Sequence, residues 1–438
     1  MADHAVSSDP AVQAQLDRLA TLSPGADILG LERISRLLTA LGDPHLVLPP
    51  QFHVAGTNGK GSTCAFLRTA LEADGKSVHV FTSPHLVRFN ERIRVNGALI
   101  DDATLARALE RVLDVAGDIS PSFFEVTTAA AFLTFAEQPA DACIIEVGLG
   151  GRLDATNVLP APAICGIAQI GLDHQSFLGN TERAIAAEKA GIAKAGVTLV
   201  SQKYEPDIAS IIAKSVGQAG GRWLSMGSVW DAAVYRDRLH YRDEQGRIET
   251  PLPRLAGPHQ PLNLALAIAM LRHQNAIEIG ESAIKAAPLW ATWPARLQRL
   301  ESGPLVERIG GAERPIWLDG GHNSGAGAVL GAYFETERLQ GQKLDILIGM
   351  LANKDVAGFL APLKDSIGHI HSVAVPGHES HGSEQFAALA TQWSIGCTAH
   401  GSLEQAVDAL RTTDNPVLIC GSLYLAGEVL RLNEQLPD

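Results

Sequence analysis

Apolar residues recur three and four positions apart between residues 10 and 42, with Leu16, Leu19, Ile34, Leu37 and Leu38 among them. That period predicts helices buried along one face. The pattern then shifts. "PPQFHVAG" is a short apolar run that reads as a buried strand, "GSTCAFLRTALEADG" as the helix after it, and "SVHVFTSP" as a second strand. Strand, glycine-rich turn, helix and strand in that order form a βαβ unit. "ACIIEVGLGG", "ICGIAQIG" and "VTLVSQ" predict further strands, with the helix "NTERAIAAEKAGIAKAG" between the last two. Such alternation predicts a mostly parallel sheet covered by helices.

From about 218 to 256 the period shortens. "RWLSMGSVWDAAVYRDRLHYRDEQGRIETPLPRL" is rich in β-formers and predicts antiparallel hairpins inserted in the first domain, followed by the helix "QPLNLALAIAMLRHQNA". Two prolines in "PLWATWPARLQRL" mark a joint. Beyond it "RPIWLDGG", "KLDILIGML", "IHSVAVPG" and "NPVLICGSLY" restart the α/β alternation. The expected fold class is α/β. Residues 1–296 form a P-loop NTPase-like domain, a mostly parallel sheet plus a small antiparallel one. Residues 297–438 form a smaller, Rossmann-like α/β domain.

Bulk properties narrow the function. A chain of 438 residues exceeds one ordinary core. A net charge of −13 argues against nucleic acid or an anionic membrane as partner. The five cysteines are scattered, without a C-x-x-C pair, which fits free thiols in a reducing compartment. The N-terminus is polar and no apolar run reaches the ~18 residues of a membrane helix, so a cytoplasmic protein is expected.

Residues 55 to 62, "AGTNGKGS", carry the first candidate chemistry. A phosphate loop ordinarily has Ser or Thr directly after its lysine. Here Gly61 follows Lys60 and Ser62 comes one place late. The three glycines permit a nest of inward amides, the next helix adds positive charge at its N-terminus, and Ser62 is expected to cap that helix. A plain glycine-rich turn is the simpler alternative, but a lysine inside it favours phosphate. The displaced serine sends the search for metal ligands to other strand ends. Ser83, Glu146, His174 and Lys189 are the candidates. Each has a bland counterpart: a turn serine before Pro84, a paired buried carboxylate, a satisfied loop histidine and a solvated helix lysine.

Taken together, these segments resemble the folylpolyglutamate synthase/dihydrofolate synthase family, relatives of the Mur peptidoglycan ligases. The likeness runs in order through "LGLERI", "AGTNGKGS", "TSPHLVRFNERI", "FFEVTTAAAF", "EVGLGGRLDATN", "LDHQSFLG", "EKAGI", "HQPLNLALAIA", "WPARLQ", "LDGGHN", "GMLANKD" and "GSLYLAG". The shifted serine is that family's normal form. The resemblance implies an ATP site at Thr57, Asn58, Gly59, Lys60, Gly61 and Ser62, completed by Asn263, Arg296 and Asp319. It implies two Mg2+ ions, one held by Ser83 and Glu146, the second helped by His174 and by Lys189 carrying a CO2-derived carbamate. Lys194, outside the "EKAGI" context, is expected to be a solvated helix residue.

The resemblance further implies a dihydropteroate pocket using Asp27 to Gly30, Ser122, Phe123, Phe124, Glu125 and Asp154, although either phenylalanine also reads as core. His322 and Ser422 would face the incoming L-glutamate. "GGHNS" departs from the family's "GAHNP", which removes a stiffening proline near the nucleotide and glutamate. The implied activity is addition of glutamate to dihydropteroate and to tetrahydrofolates through an acyl phosphate, by a monomer whose C-terminal domain closes over ATP. Lys60, Lys189 and His322 would be its catalytic side chains. Three alternatives stand beside it: polyglutamylation alone, a Mur-type ligase, and a non-catalytic nucleotide switch. An N-terminal UDP-binding domain of the Mur type has no room before a loop at residue 55.

Overall fold

The run "QFHVA" becomes β1 (Gln51–Ala55), buried at every position because other strands flank it and helices cover both its faces. In this computed structural model, residues 5–22, 29–311, 313–336 and 341–438 are described. The chain divides into two compact units, residues 1–254 with 260–292 and 438, and residues 255–259 with 293–437.

The first unit holds an eight-stranded sheet. Its strands are β1, β2 (Val78–Phe81), β3 (Ile93–Val95), β4 (Ala98–Leu99), β5 (Ala142–Glu146), β6 (Ile164–Ile167), β7 (Thr198–Ser201) and β8 (Arg222–Ser225). The order is β4-β3-β2-β5-β1-β6-β7-β8, with every strand parallel except β3. Helices Pro10–Leu22, Glu32–Ala40, Asp102–Asp114 and Phe123–Glu137 bury Leu16, Leu19, Ile34, Leu37 and Leu38 in one core with Phe81 and Ile145. Helices Glu182–Ala190 and Pro206–Ala219 close a second core over Cys165, Ile167 and Leu199. The helix Lys60–Ala73 packs against β1, β2, β5 and the helices Gln260–His273 and Glu281–Trp290.

The hairpin region differs in part from the sequence reading. "RWLS" does not begin a hairpin; it is β8 and runs parallel to β7, reached through the 14-residue helix Pro206–Ala219. A crossover of that length suits parallel pairing. The antiparallel sheet is confined to β9 (Asp231–Tyr235), β10 (Arg238–Asp243) and β11 (Gly246–Pro251). Arg236 and Asp237, both at positive φ, form the tight β9–β10 turn. The β3–β4 hairpin was not anticipated. Its signal is the Asn96-Gly97 pair, both left-handed here, which is a strong short-range hairpin cue.

The second unit contains β12 (Gln298–Arg299), β13 (Ile316–Leu318), β14 (Leu344–Ile348), β15 (Ile367–Ser372), β16 (Gly396–Ala399) and β17 (Val417–Cys420). They run in the order β12-β13-β17-β14-β15-β16, parallel except β12. Ile346, Ile348, Phe359 and Leu418 anchor the core.

Candidate active site

The carboxyl edge of the first sheet gathers the candidate side chains. The β1 strand runs into the glycine-rich loop, β2 is followed by Ser83, Glu146 ends β5, and His174 follows β6. Parallel β1, β5 and β6 bring these ends to one rim, with Val54 beside Glu146 and Ala55 beside Ile167. A strand edge of this kind is where α/β sheets bind ligands.

The loop is held from below by main chain and amides. Gln169 O accepts from the Thr57 N–H at 2.7 Å, and Thr57 Oγ1 donates to Gly171 O at 2.9 Å. Asn58 Nδ2 donates to Gln169 Oε1 at 2.9 Å. Gly59 has φ of 86°, and a Cβ there would strike the Asn263 carboxamide, so only glycine fits. Gly59 also precedes the helix Lys60–Ala73, whose N-terminus has no side-chain cap. Ser62 therefore does not cap it as expected. It lies within the first turn, buried, and accepts from Gln260 Nε2 at 3.2 Å. Asn263 continues that line, donating to Gln260 at 3.2 Å and accepting from Gln202 at 3.3 Å. Gln169, half-buried, and the buried Gln202 and Gln260 were not singled out in the sequence, because such amides bear no motif of their own.

Two lysines meet at this loop. Lys60 Nζ donates to Gly56 O at 3.1 Å and to Thr57 O at 3.3 Å. Lys189 Nζ donates to the same Gly56 O at 2.9 Å. Lys189 is 4% exposed, so the solvated-lysine alternative fails. Burial, reinforced by the Lys60 charge and opposed by Asp173 and Asp154, brings its pKa down to about 7. A large fraction is then neutral amine at physiological pH. Lys194 also departs from expectation. It lies past the end of its helix, half-buried, and its Nζ donates to Asn157 O at 2.8 Å.

Glu146 is buried and its Oε2 faces the Ser83 N–H at 3.4 Å. His174 has positive φ, is half-buried, and its N–H donates to Asp173 Oδ1 at 2.8 Å. Among the described residues no cluster of three His, Cys, Asp or Glu side chains forms a metal cage. A carboxylate and a hydroxyl are the hard oxygen donors that Mg2+ takes, alongside water and phosphate. Lys189 fits a cation site only after its amine has become an anion.

Near the same rim, Phe124 and Phe123 are half-buried at the start of the helix Phe123–Glu137. Phe123 lies edge-on to Phe89, and Phe124 sits against Gly148, where a Cβ would strike its ring. Ser122 and Glu125 form a capping box, with Ser122 N–H donating to Glu125 Oε2 at 2.6 Å, and Glu125 also pairs with Arg33 at 2.9 Å. Both thus have internal partners. Asp154 is 3% exposed and accepts from Leu149 N at 2.8 Å, Thr156 N at 3.0 Å and Thr156 Oγ1 at 2.5 Å. Burial raises its pKa while these donors pull it back. Asp27 falls outside the described residues.

On the second unit, β13 and β17 run side by side and end at the remaining candidates. Asp319 is buried, accepts from Leu297 N at 2.8 Å and Gly321 N at 2.7 Å, and is pushed up by desolvation against the pull of Arg296. His322 Nδ1 lies 2.9 Å from Gly320 O. Ser422 caps the helix Leu423–Leu432. Ser324 opens the helix Ser324–Thr336, which Asn323 caps by accepting from Ala326 N at 2.9 Å. Ser324 thus takes the first helical position, the place of the absent proline, behind the Asn323 cap.

A family model for the C-terminal domain of dihydrofolate synthetase matches residues 304–432. The chain is 34% identical over 411 residues to the dihydrofolate synthase/folylpolyglutamate synthase of Escherichia coli K12, covering 92% of this chain and 91% of that one. Against the folylpolyglutamate synthase of Lacticaseibacillus casei it is 33% identical over 414 residues, covering 91% and 92%. Among solved structures, E. coli FolC in complex with DHPP and ADP has a TM-score of 0.86 at 32% identity, covering 98% of each chain. A bifunctional folylpolyglutamate synthase/dihydrofolate synthase with Mn, AMPPNP and L-glutamate bound has a TM-score of 0.84 at 30% identity, covering 97% of this chain and 99% of that one.

Proposed function

The chain belongs to the dihydrofolate synthase/folylpolyglutamate synthase family of ATP-dependent ligases, and from that membership we propose that it joins L-glutamate to dihydropteroate, giving dihydrofolate, and to reduced folates, giving polyglutamates. The substrate carboxylate oxygen attacks the γ-phosphorus of ATP, and the bond to the β-phosphate oxygen breaks to release ADP. The amine of glutamate then attacks the acyl phosphate carbon. Inorganic phosphate leaves and the amine loses a proton, so an amide replaces the mixed anhydride.

The observation that carries the site reading is the meeting of Lys60 and Lys189 at Gly56 O. The Lys60 ammonium at the mouth of an uncapped helix calls for an anion, and a triphosphate supplies one. In this reading Thr57 to Ser62 cradle the phosphates, and Lys60 turns from the Gly56 carbonyl to the β/γ-phosphates as charge develops. Asn263, Arg296 and Asp319 are assigned to the nucleotide, His322 and Ser422 to glutamate. Phe123, Phe124, Asp154 and the 122–125 cap border the pteridine.

Ser83 and Glu146 would hold one Mg2+, and His174 with carbamylated Lys189 the second. When bound, the two cations supply neutralisation of the triphosphate charge. The protein's part is to make the carbamate available: neutral Lys189 amine attacks CO2 and loses a proton, which leaves a buried anion beside Lys60. We further propose a cytoplasmic monomer, in keeping with five free cysteines.

Dihydropteroate labelled with 18O in its carboxylate tests the acyl phosphate. One labelled oxygen should appear in inorganic phosphate for each dihydrofolate formed. Unlabelled phosphate accompanying labelled amide formation would overturn the pathway.

A further inference from the structure

His53 sits in the middle of β1 with no exposed surface, on a strand otherwise built from apolar side chains and Gln51. Its Nε2 lies 2.8 Å from Thr156 Oγ1. Thr156 is also fully buried, and its single hydroxyl hydrogen points to Asp154 Oδ1 at 2.5 Å. With that hydrogen spent, His53 Nε2 must be the donor. The line therefore runs from His53 to Thr156 to Asp154. The other oxygen of Asp154 receives Leu149 N at 2.8 Å. Burial and the nearby Lys194 charge keep the imidazole neutral, so it enters the line as a plain N–H donor.

The arrangement has a cost. His53 Nδ1 is buried and no hydrogen bond reaches it. An apolar side chain of similar size would fill the place without an orphaned acceptor. What an apolar side chain cannot do is orient the Thr156 hydroxyl. The far end of the line is the segment Gly148–Asp154, and Phe124 rests its ring on Gly148. The carboxylate of Asp154 thus fixes the backbone that seats Phe124.

We propose that His53 is a positioning residue for the pteridine-bearing substrate, acting through Thr156 and Asp154 to fix the Gly148–Asp154 segment against Phe124. The proposal rests on the reading that Phe124 and Asp154 border that substrate. The hydrogen-bonded line from His53 leads through Thr156 to Asp154 and not to the Thr57–Ser62 loop, so the loss of its donor is expected to fall first on the pteridine-bearing substrate.

The test compares His53→Leu, which removes the donor, with His53→Gln, whose amide retains one. His53→Leu should raise KM for dihydropteroate about tenfold, the size of one lost buried hydrogen bond, and leave KM for ATP within about twofold. His53→Gln should restore KM to within about threefold of the wild type. Equal KM values in the two variants, or parallel rises for ATP and dihydropteroate, would overturn the proposal. Hydrogen exchange in the full wild-type chain gives an independent readout that needs no variant. The Leu149 amide should exchange as slowly as the β1 core, and rapid exchange there would also overturn it. A wild-type enzyme that ignores dihydropteroate would sink the substrate assignment, while the exchange result would still decide whether the relay exists.

Discussion

Lys60 and Lys189 place their amines 3.1 and 2.9 Å from one carbonyl oxygen, and the Lys60 charge adds to burial in lowering the Lys189 pKa. Lys60→Ala should remove a transition-state contact of about 3 kcal/mol, roughly a hundredfold in kcat, measured by single turnover on a folded variant. Near wild-type turnover would take the loop out of the mechanism. Glu146→Gln keeps shape and loses charge; activity should fall sharply and recover in part at high Mg2+. An unchanged Mg2+ titration would make Glu146 a structural carboxylate. Lys189 should gain the mass of CO2 in bicarbonate-equilibrated enzyme, and Lys189→Ala should be nearly inactive, with short carboxylic acids restoring some rate. Lys194→Ala is predicted to behave differently: turnover stays normal, while stability drops by about 1 kcal/mol because the Asn157 carbonyl loses its donor. The contrast between these two lysines was only half legible. Nine residues of helix end at Ala190, so Lys189 is carried inward by the helix and Lys194 by the turn after it. Sequence spacing alone put both on one helix.

At the scale of elements, the turn between β1 and its helix is the most constrained joint. Gly59→Ala should destabilise by about 1–3 kcal/mol, since a left-handed residue gains a Cβ and the Asn263 carboxamide must move. Denaturant midpoints should fall with an unchanged slope; an undisturbed midpoint would mean the loop rearranges freely. Strands with strong apolar runs, β1, β5, β6, β7, β14 and β17, were readable because burial on both faces leaves few polar positions. The β16 strand, "GCTA", is mostly exposed and gave no run to read. β8 was misread because one buried residue, Leu224, separates it from a hairpin pattern. Within the site, motif glycines and lysines were legible, whereas Gln169, Gln202 and Gln260 act through distant partners that no local pattern encodes.

Across the whole molecule, two α/β units each bring loops to the carboxyl ends of parallel strands. The first carries Lys60, Lys189, Ser83 and Glu146; the second carries Asp319, His322 and Ser422 after the adjacent strands β13 and β17. The acidic surface suits small charged substrates held in local basic pockets and not polyanions bound over a broad face. The central claim is glutamate-dependent ligation of a pteridine carboxylate. It is tested most directly by measuring ADP release with dihydropteroate, tetrahydrofolate or a UDP-muramyl peptide, each with and without L-glutamate. ADP should appear with glutamate for dihydropteroate and for tetrahydrofolate, and not for the muramyl peptide. ADP release with the muramyl peptide alone, or ATP binding with no glutamate-dependent turnover of either pteridine, would contradict the account.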